Sequence, residues 1–283
     1  MNSAPILGDA LPVTARRPYH RPTPLTARLM RFARVTAHIA GGLATTVFVF
    51  PWVDPKRKRA LIRRWSRQLL QMLGIEVRVH WRHDDGLPRV VLIVANHISW
   101  LDIFVLNSVQ PARFISKAEL KRWPVVGRLA TNAGTLYIER ERRRDTHTVN
   151  RNTVEALTRG DVVAVFPEGT TSDGTGLLKF HSSLFQPIVD AGGHVQPIAI
   201  RYRTPADEYS DAPAFVGELT MVGSFWQLTG ERALVAELHL MPTLAANECH
   251  RRELSNAAAE SIRTALESPV RERAPGTRVD RRA

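Results

Sequence analysis

The run Val90-Val91-Leu92-Ile93-Val94-Ala95 constrains this chain more than any other stretch. Six apolar residues without alternation, four of them β-branched, favour a strand buried on both faces. Such a strand belongs inside a parallel or mixed sheet that helices cover. The run opens directly into Asn96-His97-Ile98-Ser99-Trp100-Leu101-Asp102. On one continuous helix, residues five apart lie about 140° from each other. His97 and Asp102 therefore meet only if His97 sits in the strand-to-helix connection and Asp102 in the first turn of the helix that follows. Such a pair is a base with its orienting carboxylate.

Strands and helices alternate around this run. Residues 75–81 alternate as a half-buried strand before an Asp84-Asp85-Gly86 turn, and further strands are expected at 113–116, 135–138, 162–166, 195–202, 218–222 and 233–241. Helices are expected at 99–108, 124–132, 144–159 with Gly160 as its stop, and 247–266 with Asn247 as its cap. The fold class expected is α/β: a mixed, mostly parallel sheet flanked by helices, spanning 75–267, with an N-terminal membrane-associating helical hairpin at 27–74. Residues 1–26 read as a flexible segment and 268–283 as a basic flexible tail.

Charge locates the surface contact. The formal net charge is +12, yet residues 1–74 hold 13 Lys/Arg against two Asp, and residues 269–283 hold five Arg against two acids. The remaining body is left at −2. A near-neutral body with a basic extension argues for an anionic membrane surface and against a nucleic-acid partner. Residues 35–53 are mostly apolar but contain His38, Gly41-Gly42 and Pro51, and basic residues flank both ends: Arg28, Arg31 and Arg34 before, 56–59 after. The absence of charge asymmetry argues against a simple span. Residues 57–73 repeat apolar side chains at helical spacing against Arg63, Arg64 and Arg67, the pattern of an interfacial helix. A hairpin dipping into one leaflet from the cytoplasmic face of the inner or plasma membrane fits both segments, its arginines meeting anionic head groups; a packed soluble hairpin and a single span are the other readings. The single cysteine, Cys249, rules out an intramolecular disulfide and a Cys-based zinc site, and is expected in a surface helix as a structural residue.

In sheets of this kind functional groups collect at the carboxyl ends of strands. Four motifs are expected there: His97 with Asp102, Glu139-Arg140, Pro167-Glu168-Gly169-Thr170-Thr171-Ser172, and Gln196-Pro197. No Gly-x-Ser-x-Gly elbow surrounds Ser99, no phosphate-binding glycine loop is present, and no His-Glu-x-x-His pattern supports a zinc hydrolase. What is left is a base able to activate a hydroxyl, with cations able to hold an anion.

These motifs resemble the glycerolipid acyltransferase family, typified by 1-acylglycerol-3-phosphate (lysophosphatidate) acyltransferase. The resemblance rests on Asn96-His97-x4-Asp102, Gly134-x3-Ile138-Glu139-Arg140, Phe166-Pro167-Glu168-Gly169-Thr170 and Val195-Gln196-Pro197-Ile198, in that order over residues 75–205. It implies an O-acyltransferase in which His97 deprotonates the free hydroxyl of a lysolipid for direct attack on the thioester of acyl-CoA or acyl carrier protein. Asp102 would orient His97. Lys117 and Arg140 would hold the lysolipid's anionic head group, with Asn96, Glu168, Gly169 and Thr170 around the acceptor. No metal and no cofactor beyond the acyl donor are implied. Many members carry Arg after Glu-Gly-Thr, where this chain has Thr171. Lys179 is a substitute cation; otherwise the acceptor is another lysolipid, such as lyso-ornithine lipid. Arg142, Arg143 and Arg144 are further cations for acyl carrier protein or head groups, with a solvated loop as the plainer reading. A membrane-bound esterase or thioesterase would use the same His-Asp pair on water.

Overall fold

The computed structural model describes residues 23–82, 86–138, 143–206, 208–247 and 249–268, apart from the side chains of 143–148. Most of the expected flexible N-terminal segment, the tail beyond 268, Asp84, Asp85, Glu139, Arg140, Arg142 and the side chains of Arg143 and Arg144 lie outside them.

Eight strands make one sheet: β1 (Ile75–Trp81), β2 (Val91–Ala95), β3 (Arg113–Lys117), β4 (Leu136–Ile138), β5 (Val163–Val165), β6 (His194–Arg203), β7 (Leu234–Leu240) and β8 (Leu244–Ala245). Their order is β1-β7-β6-β2-β5-β3-β4, with β8 on the edge of β6. β2 lies inside, parallel to β6 on one side and to β5 on the other, and β3 and β4 continue the parallel set. Among the strands described, the β6–β7 and β6–β8 pairings are antiparallel. The helices are α1 (Leu25–Phe48), α2 (Pro55–Met72), α3 (Leu101–Val109), α4 (Val126–Asn132), α5 (Arg143–Thr158), α6 (Gln186–Ala191), α7 (Met221–Gly230) and α8 (Arg251–Glu267).

The unbroken apolar run of β2 serves two cores at once. Ile93 and Ala95 join Leu69 and Leu70 of α2 and Leu101 and Val105 of α3. Leu92 and Val94 join Leu157 of α5, Ile188 of α6 and Ile262 of α8 on the other face. Each of these β2 residues is fully buried, which accounts for the missing polar alternation.

Three expectations are corrected. Residues 218–222 are not a strand: Thr220 caps α7, its Oγ1 accepting the Gly223 N–H at 3.0 Å, and the helix buries Leu228. A short alternation cannot outweigh a capped ten-residue helix with a buried stripe. The last helix begins at Arg251, capped by His250 with Glu253 reaching back to the His250 amide, so Asn247 is not the cap. Cys249 consequently precedes α8 and stands in its approach, not in a helix. The short elements α6 and β8 were not expected at all.

The N-terminal hairpin is present, and its odd residues explain its packing. A β-carbon on Gly42 would meet Trp65 Nε1 at 2.4 Å, so only glycine lets α1 and α2 approach this closely. The His38 ring stacks on Trp65 with centroids 4.7 Å apart, and Trp65 Nε1 donates to the His38 carbonyl at 3.2 Å. Residues that interrupt a membrane span in sequence are thus the α1–α2 contact. The arginines need correction too. Arg28 donates to the Trp226 carbonyl at 2.9 Å and lies 4.2 Å over the Trp226 ring, while Arg31 donates to the carbonyls of Glu231 and Thr229. Both tie α1 to the C-terminal end of α7, where cations meet unsatisfied carbonyls. Arg34 stays exposed.

Asn96 extends the β2–β6 ladder beyond Ala95 and Ile198. Its Oδ1 accepts the Ile200 N–H at 2.7 Å and its Nδ2 donates to the Ile200 carbonyl at 3.0 Å, fully buried. Its expected place beside the substrate is therefore corrected: both polar atoms are occupied by the strand. Asn96→Ala leaves two buried backbone groups unpaired and should lower stability by roughly 2–4 kcal/mol in chemical denaturation.

Candidate active site

The carboxyl ends of β2, β5, β3 and β4 share one edge of the sheet because those strands are parallel. His97 leaves β2 there, and α3 starts four residues later with Asp102 in its first turn. His97 Nδ1 lies 2.9 Å from Asp102 Oδ2. Asp102 is fully buried and also accepts the N–H groups of Ile98 at 2.7 Å and Ser99 at 2.9 Å on Oδ2. The carboxylate accepts the Nδ1–H hydrogen bond, which leaves the Nε2 lone pair facing outward. Among the described residues Nε2 has no hydrogen-bond partner, and the side chain is 19% exposed. Phe166 stacks on the ring with centroids 4.0 Å apart and planes 8° apart, fixing its orientation. Ser99 is buried, its Oγ facing the Leu101 amide at 3.3 Å, so it offers no nucleophile at the surface.

The loop after β5 holds the His97 backbone from both sides. Glu168 Oε1 accepts the His97 N–H at 2.8 Å and Oε2 accepts the Leu178 N–H at 3.0 Å, while the Ser172 amide donates to the His97 carbonyl at 2.8 Å. Glu168 is 4% exposed and braces the His97 backbone. Gly169 has φ +71°, a left-handed turn that L side chains resist; its part is conformational. Thr170 is exposed, whereas the Thr171 hydroxyl donates to the Phe215 carbonyl.

Burial pushes the Glu168 carboxyl up to about 7, against the pull of the His97 and Leu178 amides. With a folded pKa above its ordinary 4.5, the group's contribution to stability is full below about pH 4.5 and is lost as pH rises toward 7. The fall amounts to at most about 3 kcal/mol. Glu168→Gln should flatten this segment of the stability–pH curve, measured by urea denaturation at several pH values.

A family model described as "Acyltransferase" matches residues 78–201. A 1-acyl-sn-glycerol-3-phosphate acyltransferase of Neisseria gonorrhoeae is 38% identical over 213 residues, 74% of this chain and 82% of its own. The chain belongs to the glycerolipid acyltransferase family. A lyso-ornithine lipid O-acyltransferase of Pseudomonas aeruginosa is 37% identical to this acyltransferase over 246 residues, 84% of this chain and 93% of the relative. The crystal structure of a 1-acyl-sn-glycerophosphate acyltransferase from Thermotoga maritima shares the fold, with TM-score 0.62 at 22% identity over 86% of this chain and 94% of that one.

Within this acyltransferase the remaining expected residues separate. Lys117 ends β3 on the His97 edge, exposed and without an ion-pair partner among the described residues, about 10 Å across two strand spacings from β2. Arg140 lies outside the described residues, two positions beyond the end of β4. Lys179 is exposed beside Leu178, whose amide Glu168 holds. Gln196-Pro197 does not reach the site. Gln196 pairs with Ile93 toward the amino end of β2, and its buried amide donates to the Pro197 and Met241 carbonyls. Sequence spacing missed Tyr202, whose hydroxyl donates to Asp102 Oδ1 at 2.7 Å, and Phe166 beneath the His97 ring.

One group with metal-ligand chemistry stands elsewhere among the described residues: His80 of β1 with Glu237 and His239 of β7. The two rings stack with centroids 4.6 Å apart and planes 13° apart, with His80 Nε2 3.8 Å and His239 Nε2 3.6 Å from the Glu237 carboxylate. Arg203 Nε donates to Glu237 at 3.1 Å, and burial holds His239 below its ordinary pKa and hence neutral. The group spans β1, β7 and β6.

Proposed function

We propose that this acyltransferase moves a fatty acyl group from acyl-CoA or acyl carrier protein to the free hydroxyl of a lysolipid, with His97 as general base. The observation that carries the reading is His97 Nδ1 held 2.9 Å from buried Asp102, with Nε2 left open at the sheet edge. Nε2 takes the hydroxyl proton as the oxygen attacks the thioester carbonyl. The imidazolium, stabilised by Asp102, returns that proton to the departing thiolate as the tetrahedral intermediate collapses. No acyl-enzyme, metal or cofactor takes part.

Lysophosphatidate is the acceptor we put first, in line with the Neisseria relative, and Lys117 and Arg140 are the cations for its phosphate. Thr170 lies exposed in the loop that flanks the base and is suited to contact the acceptor. A second reading, a lyso-ornithine lipid acceptor, is favoured by Thr171, which brings no positive charge and whose hydroxyl is taken up by Phe215. The Pseudomonas relative agrees with it.

The lipid would be met at the cytoplasmic face of the membrane. α1 presents Leu29, Met30 and Phe48 to the outside, and Trp52 beyond it is 86% exposed, an apolar surface suited to an interface. The test uses purified full chain with each labelled donor and with lysophosphatidate and lyso-ornithine lipid in parallel. Acceptor-dependent diacyl product is expected, phosphatidate in the first case. Free fatty acid released without an acceptor would instead identify a hydrolase.

A further inference from the structure

We propose that Tyr202 is a positioning residue of the reaction, its hydroxyl on Asp102 setting how strongly Asp102 charges His97. The inference rests on the base reading of His97. Tyr202 comes from β6, one hundred residues after Asp102, and its Oη is 2.7 Å from Asp102 Oδ1. Both side chains are fully buried. Oδ2 already receives His97 Nδ1 and the amides of Ile98 and Ser99, so Tyr202 is the donor on the second carboxylate oxygen. Burial, and then the Asp102 charge, hold the phenol pKa well above its usual value, so it remains a donor at every working pH.

A donor on Oδ1 draws negative charge away from Oδ2. The less basic Oδ2 then stabilises the imidazolium less than an Asp102 without Tyr202 would. Tyr202 also fixes the carboxylate plane, so both oxygens stand where His97 and the two amides need them. The other titratable group touching His97 among the described residues is Glu168, at the His97 amide. Its presence is common to every variant compared below.

The experiment uses the full chain in detergent micelles. Tyr202→Phe keeps the ring and removes only the hydroxyl. Its expected effects are a roughly tenfold fall in kcat, from loss of the fixed carboxylate plane, with the acceptor KM little changed, and, from the freed charge on Oδ2, an upward move of the acidic limb of kcat/KM by about half a pH unit. Histidine NMR should show the His97 titration itself moving up by the same amount. Placing 3,5-difluorotyrosine at position 202 keeps the hydroxyl as a stronger donor, and the limb and the His97 titration should move the opposite way. A merely structural tyrosine would not give opposite signs. If Tyr202→Phe does not fold, the fluorinated protein carries the test alone. Profiles and titrations that coincide with the wild type would overturn the proposal. His97→Ala assayed alongside separates the two readings: full activity there removes the base, whereas an inactive His97→Ala with unmoved Tyr202 variants removes only the role of Tyr202.

Discussion

His97→Ala is expected to lower acyl transfer about 10²- to 10⁴-fold, the range that a positioned general base supplies, while leaving the melting temperature nearly unchanged. The small structural effect follows from how the site is held. The His97 backbone is fixed by Glu168 on its amide and Ser172 on its carbonyl, and neither bond involves the ring. The ring is partly exposed and loses only its stack on Phe166 and its bond to Asp102. Initial rates with labelled donor, beside a thermal melt by circular dichroism, decide it. A variant within a few-fold of wild type would remove His97 from the chemistry.

Asp102 should be costlier, and two substitutions separate its functions. Asp102→Ala strips four donors of their acceptor in a fully buried place: His97 Nδ1, the Ile98 and Ser99 amides and the Tyr202 hydroxyl. A loss of about 3–5 kcal/mol is expected, since each orphaned buried donor costs roughly 1–3 kcal/mol and the loop partly relaxes. Asp102→Asn keeps the volume and one acceptor oxygen. Its amide can donate to Nδ1, which moves the imidazole proton to Nε2 and blocks proton uptake there. Activity should fall about 10³- to 10⁴-fold with a smaller loss of stability. Urea denaturation and rate measurements on both variants check the pair; an active Asp102→Asn would show that the tautomer does not matter.

Much of this acyltransferase could be read along the chain. The β2 run announced its double burial, and three further strands ending or beginning near motifs announced a parallel edge. The five-residue step from His97 to Asp102 already required a strand-to-helix turn. Those are local matters, set by covalent spacing and by side-chain periods of 2 and 3.6. Glycine in α1 could be read as a break in a span, but not as the seat of Trp65, because its partner is supplied by another helix.

Other features depend on which strands become neighbours. Pairing of Ala95 with Ile198 places Ile200 beside Asn96, turning an expected substrate contact into a strand clamp. The same register stations Tyr202 over Asp102 and leaves Gln196 near the far end. Glu168 became a brace because the loop after β5 crosses the His97 turn. Arg28 and Arg31 became ties to α7 because that helix brings the carbonyls of Trp226, Thr229 and Glu231 to α1. The sequence by itself determined the layers, the strand ends where the motifs collect and the strand-to-helix turn that brings Asp102 to His97. Tertiary structure alone decided which polar residues stay open at that edge and which are consumed in holding the His97 turn. The physical reason is that a buried hydrogen bond between residues 70 to 100 positions apart depends on sheet register, and register follows from the packing of the whole core.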